Sequence, residues 1–67
     1  MNVNIRDYIK NNFKNSNANE IEESINSSID SKDEVVLPGL GVLFEVLWQN
    51  IEYKFKDDIL KTLVNNI

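Results

Sequence analysis

Three pairs of neighbouring carboxylates, Glu22-Glu23, Asp33-Glu34 and Asp57-Asp58, are the side chains of this sequence nearest in type to acid–base catalysis or divalent-cation binding. Adjacent positions on a helix point about 100° apart, so the members of a pair do not share a proton or a substrate, and general acid–base work needs a desolvated carboxyl in a cleft. No Asp-x-Asp-x-Asp loop with a Gly and a terminal Glu is present. The chain contains no His and no Cys, which removes imidazole and thiolate ligands, the Ser-His and Cys-His nucleophile systems, and any disulfide. The carboxylates are therefore expected to be solvated faces. No catalytic residue, cofactor, metal ion or small-molecule substrate is expected.

Two other groups could contact a ligand. Pro38-Gly39-Leu40-Gly41 opens an apolar segment and would offer free amides to an anion if it begins a helix. No Lys or Ser/Thr follows as in a phosphate loop, so the glycines are expected to serve close packing and the path of the chain. Arg6, Lys10 and Lys14 recur every four residues and could line a phosphate backbone. They are three charges in a chain of net −4, with 7 Lys+Arg against 11 Asp+Glu. Affinity for DNA scales with the number of phosphates neutralised, so DNA is an alternative partner and not the favoured one.

The elements that must position these residues follow from apolar spacing. Residues 4–14 are predicted as a helix with Ile5, Ile9 and Phe13 on one stripe, Tyr8 beside them and Asn4 as N-cap. The second helix starts at Asn17, whose partner three residues on, Glu20, completes a capping box, and it carries Ile21, Ile25 and Ile29 on a single inward seam. Ser31 to Glu34 forms a polar linker. Val35-Val36-Leu37 is expected to be extended, as suits the approach to a proline, and Pro38 to take the first position of a third helix.

Between Pro38 and Gln49, Leu40, Leu43, Phe44, Leu47 and Trp48 fall at i, i+3, i+4, i+7 and i+8, with Val42 and Val46 broadening the face. The alternative is a hairpin turning at Pro38-Gly39-Leu40-Gly41; adjacent Val46, Leu47 and Trp48 break its alternation. Asn50 ends the segment. Ile51 to Ile67 is the last helix, with Phe55, Ile59, Leu60, Leu63, Val64 and Ile67 on its apolar side and a Lys54–Asp58 pair on the other. The fold class is all-α: one domain at residues 1–67, a small bundle of about four short helices with the Pro38–Gln49 helix central. No run approaches the roughly 18 apolar residues of a membrane span, and the N-terminus lacks a secretory pattern, so a cytoplasmic-type compartment and no membrane partner are expected.

A chain of 67 residues without disulfide or metal rarely draws more than about 3–5 kcal/mol from its core alone. Phe44 is expected inside. Leu40, Leu47, Trp48 and Phe55 are the candidate protein-interaction residues, where surplus apolar surface meets a second copy of the chain or another protein.

The segment Leu37-Pro38-Gly39-Leu40-Gly41-Val42-Leu43-Phe44-Glu45-Val46-Leu47-Trp48-Gln49 closely resembles the signature of the small acid-soluble spore protein I family of endospore-forming Firmicutes. Asn2-Val3-Asn4-Ile5-Arg6, the stretch Ile25 to Glu34 and Ile59-Leu60-Lys61-Thr62-Leu63 are similar to the corresponding parts of that family, so the likeness covers nearly the whole chain. It implies a minor, non-enzymatic protein made in the developing forespore during sporulation and resident in the spore core, with no established catalytic or ligand residues to carry over. The DNA-binding and germination-protease segments of the α/β-type spore proteins are not found. The chain departs from the family in the more apolar Ile51-Glu52-Tyr53-Lys54-Phe55 and in ending at Ile67 without a charged tail, and both departures add apolar area.

Overall fold

A computed structural model describes residues 4–67 as four helices: α1 (Ile5–Asn12), α2 (Ala18–Ser31), α3 (Leu37–Asn50) and α4 (Tyr53–Asn66), with one 3-10 turn at Glu34–Val36 before α3. The Asn2-Val3 part of the family-like N-terminal segment lies outside the described residues. Among those described there is no strand, so the all-α class holds and the hairpin alternative for residues 35–48 does not.

Local chemistry sets the helix starts. The Asn4 side chain accepts from the Asp7 amide at 3.2 Å. Asn17 and Glu20 close a full capping box, with the Glu20 amide donating to Asn17 Oδ1 at 2.9 Å and the Asn17 amide to Glu20 Oε1 at 3.4 Å. The end of α2 is less comfortable: Lys32 takes the left-handed conformation at φ 55° to terminate the helix, a geometry more natural for Gly or Asn.

Val35-Val36-Leu37 corrects the sequence expectation. Asp33 Oδ1 accepts from the Val35 amide at 3.0 Å, and the Asp33 carbonyl accepts from Val36 at 3.1 Å, which winds this stretch into a 3-10 turn. Leu37 is already helical at φ −60°, ψ −42°. Pro38 therefore occupies the second helical position, not the first, and its missing N–H still costs nothing in the first turn. The local preference of the residue before proline, Leu37, yields to the cap that Asp33 forms four residues upstream.

The main helix–helix contact is α1 on α3, and α3 also meets the 3-10 turn, which makes α3 the central element. Val42, at 7% exposure, is the one buried residue among those described, and it faces α1. Ile9 lies beside Gly39, where a β-carbon would sit 3.5 Å from Ile9 Cδ1, an ordinary contact, so this approach does not require glycine. On α2 the half-buried side is Ile21, Ser24, Ile25 and Ser28, whereas Ile29 is exposed. Each step of four residues rotates 40° around a helix, so a strict i, i+4, i+8 run drifts off a straight seam and the serines replace its far end.

Phe44 is also corrected: at 43% exposure it lies outside the core. Viewed down α3, at 100° per residue, Phe44 is on the side opposite Val42, and α1 takes the Val42 side. The radius of gyration is 13.3 Å, against about 11 Å for a compact chain of this length. No helix among the described residues is long and apolar enough to cross a membrane.

Candidate interaction surface

The apolar side of α3 away from α1 is the best-defined surface feature. Leu37, Phe44 and Leu47 are 57%, 43% and 45% exposed. Leu40 is half-buried in a shallow groove it shares with Ile29 and Leu37, where the end of α2 passes α3 and Lys32, Asp33 and Glu34 border the opening. Trp48 is half-buried, its ring stacked on Phe44 at 5.8 Å between centroids, with Lys56 Nζ 4.6 Å from its ring centre. That ammonium, from the first turn of α4, shields part of the indole, an interaction of about 0.5–1 kcal/mol at an exposed site. Phe55 is 45% exposed beneath Lys54 Nζ at 5.1 Å.

The four candidate interaction residues thus lie on α3 and at the start of α4. The structure stacks Trp48 on Phe44, its neighbour four residues back on the same predicted face, and adds Lys56, which spacing had not linked to it. Leu37, assigned to an extended lead-in, joins the surface because the helix begins one residue earlier. The signal for it was present: Leu37, Leu40, Phe44 and Leu47 recur at intervals of three, four and three residues, the spacing of a helix seam.

The basic residues of α1 are placed differently. Arg6 Nε donates to both carboxylate oxygens of Glu45, at 2.8 and 3.0 Å, tying α1 to α3. These hydrogen bonds hold the Glu45 carboxyl below its ordinary pKa; desolvation between the helices opposes them, and the charges of Arg6 and Lys10 add to the lowering. The same bonds raise the Arg6 guanidinium. Lys14 is exposed beyond the end of α1. Sequence reasoning did not foresee this pair, whose partners stand 39 positions apart; the one available cue was that Glu45 is the single charged residue between positions 35 and 50.

The carboxylate pairs are exposed in every case. Asp33 caps the 3-10 turn and Asp57 pairs with Lys61 at 2.9 Å, while Lys54 reaches Glu52 at 3.7 Å and not Asp58. An acid four residues before a base suits the helix dipole better than the reverse order, which accounts for the exchange of partners. Among the described residues no group of three or more His, Cys, Asp or Glu is arranged to hold a metal ion.

Fold and surface together define a small all-helical protein with an open apolar face and no assembled set of reactive groups among the described residues. A family model described as "Small, acid-soluble spore protein I" matches residues 3–67. Similar proteins of that name occur in Bacillus velezensis, 44% identical over 94% of this chain and 89% of the relative; in Halalkalibacterium halodurans, 44% identical over 94% and 93%; and in Bacillus subtilis, 43% identical over 94% and 89%. The chain belongs to the small, acid-soluble spore protein I family, and its role is tied to the bacterial spore. No solved structure matches it.

Proposed function

We propose that this protein is a non-enzymatic structural or protective component of the spore core, formed in the forespore, and that it acts by protein–protein association through the apolar side of α3 and the start of α4. The observation that supports this is the mismatch between a single buried residue among those described and exposed apolar side chains at Leu37, Phe44, Leu47 and Phe55, each 43% exposed or more. Exposed large apolar side chains gathered on one helix mark an interaction site more often than chance scatter does. The test is site-specific photocrosslinking in a sporulating host, with benzoylphenylalanine in place of Phe55 and, as control, of Tyr8 on α1. The expected result is a covalent protein adduct from position 55 and none from position 8; no adduct from either would overturn the proposal.

DNA association through Arg6, Lys10 and Lys14 is the other function class. It has less support, because Arg6 is spent on Glu45 and Lys10 lies in the same field. The expected outcome of a mobility-shift assay with duplex DNA at low salt is no shift. A retained complex that weakens steeply with added salt would reverse this ranking, since counterion release gives that dependence.

A further inference from the structure

We infer that α2 is a separately opening arm: it leaves the α1–α3 pair and unfolds as a unit between Asn17 and Lys32 while α1 stays docked on α3, and so bares the apolar crevice beside it. This opening is independent of the association proposed above. The crevice, about 220 Å³, is lined by Ile9 and Phe13 of α1 and by Leu40 and Leu43 of α3, and the residues that α2 contributes to it are Ser24 and Ser28. Small hydroxyl side chains set against an apolar lining forgo the dispersion contacts that a packed seam supplies. No residue of α2 is buried. Ile21 and Ile25 are half-buried, and Ile29, the third isoleucine of the seam, is 57% exposed.

Polar ties divide the molecule at the same place. α1 is joined to α3 by the Arg6–Glu45 hydrogen bonds at 2.8 and 3.0 Å. Among the described residues, every side-chain hydrogen bond of α2 stays within the helix and its own ends, Asn17 with Glu20 and Ser31 with Ser28 and Asp33. The far end of the helix is poorly finished. Its last turn carries Asp30 and no base, the wrong sign for the negative end of the helix dipole, and Lys32 closes it at φ 55°, a conformation that disfavours a residue with a β-carbon. A 14-residue helix with this much Ser, Asn and Ile is marginal in water once its docking is lost, so separation and unfolding are one event.

The test is hydrogen exchange of the purified full chain, read by NMR at single amides in urea from zero to below the unfolding midpoint, with Val42→Ala as a second measurement. The α2 amides from Ile21 to Asp30 are expected to share one protection level, at least about tenfold below that of the most protected α3 amides. Their dependence on urea is expected to be weaker, since opening one helix exposes less surface than unfolding the chain. Val42→Ala loosens α1 from α3 and is expected to speed α3 exchange by about tenfold. It is expected to leave α2 unchanged, because the α1–α3 contact is intact both before and after α2 opens. If that variant does not fold, the urea series on the natural chain decides alone. Protection in α2 equal to that in α3 with the same urea slope, a gradual fall from the middle of α2 to its ends as in simple fraying, or α2 exchange that speeds in step with α3 in Val42→Ala, overturns the inference.

Discussion

Glu45 and Lys32 are the two side chains whose substitution isolates a single physical effect. The Glu45 carboxyl has a lower pKa in the fold than in the unfolded chain, where it titrates near about 4.3. Its ion pair with Arg6 therefore stabilises fully above that value and is lost as pH falls through the folded one. In Arg6→Gln the Glu45 midpoint, followed by carboxyl-carbon NMR, is expected to move up towards the ordinary glutamate value, and the matching acid-side slope of stability to flatten. An unchanged midpoint would mean that the pair is not formed in solution. Lys32 at φ 55° carries the steric cost of a left-handed residue with a β-carbon. Lys32→Gly is expected to raise stability by up to about 1 kcal/mol, read from denaturant unfolding.

Among the helices, α3 does two jobs with opposite faces. Its Val42 side takes α1, with Ile9 beside Gly39, and its Leu37–Leu47 side stays open. A β-carbon at Gly41 would meet nothing within 4 Å, and its backbone is ordinary helix. Gly41→Ala is expected to stabilise the fold by about 0.5–1 kcal/mol in thermal or chemical unfolding, through lower entropy of the unfolded chain. A loss of stability instead would mean that something approaches that position in solution. The helix α4 depends still more on its surroundings: none of its residues is buried, and Leu60, Leu63 and Val64 are 47%, 43% and 76% exposed.

For the molecule as a whole, an accessible surface of 5932 Å², about a third larger than a compact monomer's, leaves little core to oppose chain entropy. A protein stabilised by pairing with itself has a melting temperature that rises with its own concentration, by mass action. A melting series over a hundredfold concentration range, about the span that moves such an equilibrium visibly, identifies the occupant of the α3 face: a rise in the natural chain that is lost in Leu47→Glu assigns it to a second copy. A concentration-independent melt in both would place all the stability within one chain.

Period and capping chemistry alone were enough to determine the all-α class, four helices in order, the Asn4 and Asn17 starts and the central place of α3, because these depend on residues within one or two turns of each other. The start of α3 one residue before Pro38 was carried only by the Leu37–Leu47 spacing and ran against the local preference of the residue before a proline, which the Asp33 cap overrides. Nor was the sidedness of α3: with Leu40, Val42, Leu43, Phe44, Val46, Leu47 and Trp48 spread around its circumference, periodicity could not say which apolar side α1 would take. Tertiary packing decided that through Val42, Gly39 and the Arg6–Glu45 pair, which lie far apart in the chain and meet only when α1 folds back. In doing so it left Phe44 and Leu47 in the open.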